Sequence, residues 1–141
     1  METLKFTTKI NATKEKVWQV LWNDETYRKW TSVFDESSHA ISDWKEGSKI
    51  QFLSDDGSGM YSIIEKKIEN EQMIFKHLGE LNKGVEELKD WKGACERYFL
   101  KETNGITELA TELDCVEEFK DYFLNVFPKA LVLIKQLSEH E

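Results

Sequence analysis

Two residues in this chain are suited to acid–base chemistry, His77 and Tyr98. A histidine gains or loses a proton near neutral pH, and a buried tyrosine hydroxyl can hydrogen-bond to a reacting oxygen. In the segment "MIFKHL", Phe75 and His77 share one face of a predicted strand, and Lys76 marks the other face as the solvent side, so His77 is predicted to be buried. No nucleophile with a neighbouring base is identifiable. We therefore assign no catalytic residue and predict a binding protein rather than an enzyme.

No metal site or phosphate loop is predicted. The three histidines, at positions 39, 77 and 140, do not have the spacing of metal ligands. The acidic stretch "DDGSG" at positions 55–59 lacks the spaced oxygen ligands and distal glutamate of a calcium loop, so we interpret it as a hairpin turn. A glycine-rich phosphate loop is also missing. The chain is expected to work without a metal or another cofactor.

Composition indicates one globular domain over residues 1–141. With 40% hydrophobic residues, one proline and seven glycines, the chain is long enough for a single core and is not biased toward disorder. Its net charge of -8 opposes binding to nucleic acid or to an anionic membrane surface. We identify neither a membrane span nor a signal peptide, and we expect Cys95 and Cys115 to be reduced thiols. A cytoplasmic location is predicted.

The start of the chain predicts a strand followed by two helices. From Glu2 to Ile10, apolar and polar residues alternate, which is typical of a half-buried strand. Thr13 is placed to cap the first helix, and Asp24 is placed to cap a short second one. The predicted order is therefore strand, helix, helix.

Turn residues then divide the middle of the chain into consecutive antiparallel strands. The strongest hairpin signal is the Asn104–Gly105 pair, because both residues tolerate the positive φ of a type I′ turn. The predicted strands cover positions 39–44, 49–53, 60–68, 73–78, 95–101 and 106–116.

Two features of this middle region stay open. In "MYSIIEKKI", either Tyr61 and Ile63 or Met60 and Ile64 face inward, because both registers contain apolar residues. The irregular segment 79–93 contains "VEELKDW", which could form one or two helical turns, and whether this segment is a lid is not predicted.

The last segment, residues 117–139, predicts a long helix with a broad apolar side. Pro128 interrupts it, and since a proline removes a backbone donor and crowds the preceding turn, we expect either a kink or a break there. The apolar residues that recur at three- and four-residue steps are Phe119, Phe123, Val126, Phe127, Ala130, Ile134 and Leu137.

The order of these elements and several motifs resemble the START-like (SRPBCC) superfamily, in particular its branch related to the activator of the Hsp90 ATPase. The resemblance covers nearly the whole chain and implies an α+β helix-grip fold, as in the birch-pollen allergen. In that fold a curved antiparallel sheet of about seven strands surrounds a long C-terminal helix. The motifs are the "A…VW..L" pattern of Ala12, Val17, Trp18 and Leu21, the following Trp30, Gly47 with the strand at 49–52, and the ending "FPKALVLIKQL".

The resemblance also implies a cavity between the sheet and the last helix. Members of the superfamily bind lipids, sterols, plant hormones or polyketides, and a helix gripped by a curved sheet leaves voids around large rings. We therefore predict binding of a small hydrophobic or amphipathic molecule of the lipid, sterol or aromatic polyketide type. Two alternatives stay open because fold does not determine function. One is a chaperone-associated protein-interaction domain, and the other is an enzyme resembling polyketide cyclases or hydratases.

The predicted ligand-binding residues are mostly aromatic or apolar. Trp91 and Tyr98 are placed at the mouth of the cavity, since each combines an apolar body with one polar tip. Thr111 either orients a ligand oxygen or bonds a neighbouring backbone carbonyl. The full predicted set is Trp30, Phe34, Phe52, Phe75, His77, Trp91, Tyr98, Leu109, Thr111, Leu113, Phe119, Phe123 and Phe127.

The tryptophans of the two short helices have different predicted roles. Trp30 ends the second helix, which closes one end of the cavity in this superfamily, so it is expected to contact the ligand. Trp18 is expected to pack behind the sheet as structure. Trp22 is expected to be partly exposed or to contact the end of the last helix.

Overall fold

The computed structural model describes residues 1–140, in which one antiparallel sheet curves around the C-terminal helix. This arrangement confirms the predicted α+β helix-grip fold. In chain order the elements are β1 (Glu2–Ile10), α1 (Lys14–Trp22), α2 (Asp24–Trp30), a 3-10 turn (Thr31–Val33), β2 (His39–Ile41), β3 (Lys49–Leu53), β4 (Gly59–Ile68), β5 (Gln72–Asn82), β6 (Val85–Leu88), β7 (Cys95–Thr103), β8 (Ile106–Cys115) and α3 (Glu117–His140).

The sheet brings the two ends of the chain together. Its strand order is β1-β8-β7-β5-β4-β3-β2, and β6 pairs with the far end of β5. The described residues therefore form eight strands rather than about seven. The additional strand is β6, which pairs Val85 with Asn82 and Leu88 with Gly79. A helical turn within "VEELKDW" is thus a wrong expectation for Val85–Leu88, which form a strand because β5 offers an unpaired edge beyond β7.

Both short helices begin at a capping side chain. The Thr13 hydroxyl accepts a hydrogen bond from the backbone N–H of Lys16 at 3.2 Å, as predicted. The second cap was predicted one residue too late, because the Asn23 side chain, and not that of Asp24, accepts from the N–H of Glu25.

The open register of β4 is resolved in favour of Met60 and Ile64. Ile64 is fully buried in the main core and Met60 lines the cavity described below. Tyr61 is also buried, but it lies outside this core, with the Lys49 ammonium 5.3 Å from its ring centroid. Two register shifts occur between β4 and β5: after Tyr61 the extra residue is in β5, and after Ile64 it is in β4.

α3 continues through Pro128, which excludes a break at that position. Phe127, Ala130 and Ile134 on its inner side are almost fully buried, whereas Pro128 is exposed on the opposite side. A proline ring on the solvent side does not disturb the packed face. Within residues 1–140, no helix combines the length and the apolar character needed to cross a bilayer.

Trp22 lies at the centre of a cluster of aromatic rings. It is half-buried, as predicted, but its ring contacts are with the sheet and neighbouring helices rather than with the end of α3. Trp18 is buried in the same core. The rings with centroids 4.9 to 6.4 Å from that of Trp22 are Tyr98, Phe75, Trp44, Trp18 and Trp30.

Candidate functional site

A cavity of about 400 Å³ lies between the inner face of the sheet and the first half of α3. Its walls come from α2, from β3, β4, β5, β7 and β8, from the loop before β7, and from α3. The sheet and the helix therefore do not fill the space between them completely.

The aromatic ladder of α3 forms one wall and runs from the surface to the core. Phe119 is 37% exposed, Phe123 is half-buried and Phe127 is 2% exposed, and all three line the cavity. The Phe127 ring lies 5.1 Å from that of Phe6 and 6.2 Å from that of Phe34. Four-residue spacing on a helix aligns the three rings on one side, so they become progressively less accessible toward the centre.

Four polar side chains on the inner face of the sheet form a connected chain, which we call the His77 cluster. The Ser62 hydroxyl lies 2.6 Å from Nδ1 of His77, and Nε2 of His77 lies 3.3 Å from Oε1 of Glu96. The Tyr98 hydroxyl donates to the other carboxylate oxygen of Glu96. These residues are supplied by β4, β5 and β7, and His77 and Glu96 also line the cavity.

The contacts of the His77 cluster converge on Glu96. Ser62 is fully buried, and its hydroxyl is a hydrogen-bond partner of Nδ1 of His77. Nε2, on the other side of the ring, lies near Glu96, which also accepts from Tyr98. The negatively charged group of the cluster is therefore the Glu96 carboxylate.

Two buried tyrosines respond to this negative charge. Burial raises the pKa of Tyr98 well above its usual value of 10.0, and the charge of Glu96 and its hydrogen bond raise it further. Burial, followed by the charge of Glu96, also raises the pKa of Tyr27 well above 10.0. Both hydroxyls therefore stay protonated at neutral pH.

The arrangement of Ser62, His77 and Glu96 does not make Ser62 a nucleophile. Ser62 is fully buried and does not line the cavity, so a bound molecule could not reach its hydroxyl. Its hydrogen bond instead positions the His77 ring on the cavity wall. Within residues 1–140, no group of histidine, cysteine and carboxylate side chains is placed to hold a metal ion.

Most of the predicted site residues meet around the cavity, and four do not. Tyr98 was predicted at the cavity mouth, and this is wrong because its side chain is fully buried and bonded to Glu96. Phe75 and Leu109 pack in the core, and Thr111 donates to the backbone carbonyl of Phe6 at 3.4 Å, which is the second of its two predicted roles. The residues that line the cavity are Trp30, Phe34, Phe52, His77, Trp91, Leu113, Phe119, Phe123 and Phe127. That they contact a ligand stays a prediction.

Sequence reasoning missed Glu96, Ser62 and Glu80. Glu96 was detectable, because the alternation that turns Tyr98 inward also turns Glu96 inward, two residues earlier on the same strand. Glu80 lies beyond a register shift in β5, between His77 and Gly79, and no local pattern revealed that shift. Ser62 shares a face of β4 with Met60 and Ile64, so it belonged to one of the two open registers, but a serine is not a typical buried residue.

Comparison with known proteins supports the architecture. No protein-family model and no curated protein matches the sequence. Among solved structures, the chain is similar to the Aha1 dimer from Colwellia psychrerythraea, with a TM-score of 0.73, 20% identity and coverage of 99% of this chain and 98% of that one.

Two further structures show the same likeness. Protein MLL2253 from Mesorhizobium loti has a TM-score of 0.76 and 13% identity, with coverage of 96% of each chain. CalU16 from Micromonospora echinospora has a TM-score of 0.71 and 14% identity, with coverage of 98% of this chain and 76% of that one. Likeness at such low identity establishes the fold, which is the helix-grip fold.

Proposed function

We propose that this protein binds a small hydrophobic or amphipathic molecule in the cavity between the sheet and α3. The observation that carries the proposal is the cavity itself, about 400 Å³ of space bordered by aromatic side chains. Ligand pockets in proteins usually measure about 300–1,000 Å³, so the space suits one small molecule.

The aromatic walls supply the driving force for binding. Trp30 reaches the cavity from α2, Phe52 from β3 and Phe123 from α3, so an apolar ligand would contact rings on several sides. Removing apolar surface from water contributes about 25 cal/mol per Å². A lipid tail, a sterol or an aromatic polyketide has apolar surface that suits such walls.

The cavity has a partly exposed rim through which a ligand could enter. Phe119 and Tyr122 are 37% and 45% exposed and Trp91 is half-buried, and all three line the cavity. Large apolar side chains exposed at a rim often mark a binding site. The rim thus joins the cavity to solvent between α3 and the loop before β7.

Tryptophan emission offers a direct test, because Trp30 and Trp91 line the cavity. Titration with fatty alcohols, sterols and aromatic polyketides should give saturable changes for at least one class. Phe123→Ala should weaken that binding by about tenfold through loss of apolar contact. Leu124→Ala is the matched control, since Leu124 is 46% exposed on the same helix and does not line the cavity. The absence of saturable binding across all three classes would contradict the proposal.

A second candidate function, an enzyme of the cyclase or hydratase type, is favoured by the position of His77 and Glu96 on the cavity wall. His77 would exchange a proton with a bound carbonyl compound, and Glu96 would orient the ring. His77→Ala and Tyr98→Phe variants should then lose turnover of an aromatic polyketide substrate. Unchanged turnover in both variants would remove this assignment.

A third candidate, a chaperone-associated interaction domain, is favoured by apolar side chains on the outer side of α3. Leu124 and Val132 are 46% and 53% exposed. In this case the protein, which we place in the cytoplasm, would stimulate the ATPase of a purified Hsp90-type chaperone, and changing both residues to serine would abolish the stimulation. A chaperone ATPase rate that the protein leaves unchanged would count against this candidate.

A further inference from the structure

We infer that the ligand of the cavity is an amphipathic organic cation whose charged group lies beside Glu96. This inference rests on the proposed function and adds a charge to the ligand. It follows from which ionic side chains line the cavity, from where Glu96 lies, and from the rings around it.

The ionic lining of the cavity is acidic. Three carboxylate residues border the cavity, and none of the described lining residues is a lysine or an arginine. The Asp114 carboxylate is neutralised by Arg97 at 3.0 Å, and Glu80 lies 3.5 Å from the Lys89 ammonium. Glu96 has His77 and Tyr98 as its partners, and neither a histidine nor a tyrosine is permanently charged. The charge of Glu96 is therefore the one that the protein leaves without a permanent cation.

Glu96 points to the interior of the fold rather than to the surface. It shares the inward face of β7 with Tyr98 and Leu100, and its side chain is 21% exposed. A carboxylate in apolar surroundings is costly unless hydrogen bonds and an opposite charge compensate for the lost water. Two hydrogen-bond donors supply the first part of this compensation, and a cationic ligand would supply the second.

Aromatic rings lie near the two partners of Glu96 and suit a cation as well. The His77 ring lies 6.2 Å from that of Phe52, and the Tyr98 ring lies 6.4 Å from that of Trp30. Phe52 and Trp30 both line the cavity. A quaternary or protonated amine in the cavity would thus meet aromatic rings, whose electron density attracts positive charge.

An anionic ligand would meet the opposite conditions. A fatty acid carboxylate near Glu96 would be repelled, and no lysine or arginine of the described lining would pair with it. Burial first, and then the charge of Glu96, raises the pKa of both Tyr27 and Tyr98. The net charge of -8 adds an attractive field for cations approaching from solvent.

Three probes with one chain length and different head groups test the inference: decyltrimethylammonium, decanol and decanoate, each below the concentration at which it forms micelles. Isothermal titration of the full chain should show that the cation binds about tenfold more tightly than decanol and that decanoate binds most weakly. Glu96→Gln should reduce the affinity for the cation to that for decanol and leave decanol binding unchanged. Glu108→Gln, an equal change of net charge at an exposed position of β8, should preserve the preference.

The outcomes separate this inference from the proposed function. Equal affinity for the three probes, or tightest binding of decanoate, would overturn the cationic ligand and leave the cavity as a binding site. A cation preference that Glu96→Gln retains, or that Glu108→Gln lowers to the same extent, would also overturn it. Failure of all three probes to bind would overturn this inference, whereas the titration with sterols and aromatic polyketides decides the proposed function. If Glu96→Gln does not fold, the comparison of the three probes on the unaltered protein decides.

Discussion

The Ser62 hydroxyl lies 2.6 Å from Nδ1 of His77, where β4 and β5 pair and both residues are buried. This hydrogen bond joins the two central strands through their side chains and sets the orientation of the imidazole ring. With Nδ1 held by Ser62, Nε2 lies 3.3 Å from Glu96 on the next strand. The buried Ser62 hydroxyl therefore determines which edge of the His77 ring lies toward Glu96.

Ser62→Ala should lower the free energy of unfolding by about 1–3 kcal/mol, since it leaves the buried Nδ1 of His77 without a donor. Ser138→Ala is the matched control, because Ser138 is equally buried but its hydroxyl has no hydrogen-bond partner among the described residues. That variant should be as stable as the parent, or more stable by up to about 1 kcal/mol. Urea unfolding of both proteins measures the difference. Equal destabilisation by the two substitutions would show that the Ser62–His77 bond contributes nothing.

Much of the fold follows from patterns that act over a few residues. Alternation in Glu2–Ile10, the repeat of apolar residues in α3 and the turn at Asn104–Gly105 are all confirmed. At the turn, the φ values of Asn104 and Gly105 are 53° and 80°, as a type I′ hairpin requires. These elements were predictable because the information that forms them is local.

The centre of the sheet was less predictable because it depends on pairing between distant residues. The first register shift leaves Leu78 of β5 without a partner on β4, so the residues of β5 beyond it, including Glu80, are turned to the opposite face. β6 is exposed at all four of its positions, so it has no alternation to detect, and its pairing with Gly79–Asn82 comes from tertiary structure. Gly79 matches this pairing, since a Cβ there would lie 2.1 Å from the Glu87 carbonyl oxygen.

The candidate site also contains residues that the sequence predicts and residues that it does not. Its aromatic members were predictable, since the ladder of α3 and Trp30 follow from spacing and from the family resemblance. Glu96 was missed because a glutamate is ordinarily exposed, although alternation from Tyr98 placed it inward. The volume left between these side chains depends on packing of the whole chain, which no local pattern contains.

Two neighbouring tryptophans should respond differently to the same substitution. Nε1 of Trp30 donates to the carbonyl of Leu21 at 3.1 Å, whereas Nε1 of Trp22 is buried without a hydrogen-bond partner among the described residues. Trp30→Phe removes ring volume and a hydrogen bond, but Trp22→Phe removes ring volume and an unsatisfied donor. Trp30→Phe should therefore cost about 1–2 kcal/mol more stability than Trp22→Phe. Thermal and urea unfolding of the two variants provide the comparison, and a larger loss for Trp22→Phe would contradict this account.

Acid should remove a stabilising contribution from Asp114. Burial raises the pKa of Asp114, but hydrogen bonds from Arg97, from the Cys95 N–H and from Thr3 outweigh it and hold the pKa below the ordinary value of 3.8. A carboxyl group whose pKa is lower in the folded than in the unfolded state stabilises the fold at pH values above its unfolded-state pKa. This stabilisation is lost as the pH falls through its folded-state pKa. Asp114→Asn should thus destabilise the protein near neutral pH, and its deficit should shrink below pH 3.8.

Urea unfolding over this acidic range measures the deficit of Asp114→Asn. Asp121→Asn is the control, since Asp121 is exposed on α3 and should give no comparable deficit at any pH. A deficit for Asp114→Asn that stays constant as the pH falls would mean that the ionised carboxylate is not what stabilises the fold.

Alkali should remove a stabilising contribution from Tyr98. Its pKa is raised well above 10.0 by burial first, and then by the charge and the hydrogen bond of Glu96. Tyr98 ionises near pH 10.0 in the unfolded chain but stays protonated there in the folded protein. The contribution of Tyr98 to the free energy of unfolding is therefore fully present below pH 10.0 and declines above it. Tyr98→Phe should lower stability at neutral pH, because Glu96 loses a donor, yet make the decline above pH 10.0 less steep. Free energies of unfolding and phenolate absorbance, both measured in alkali, test this prediction. If the native parent protein shows a phenolate signal near pH 10.0 that the Tyr98→Phe variant lacks, the Tyr98 hydroxyl is neither buried nor held by Glu96.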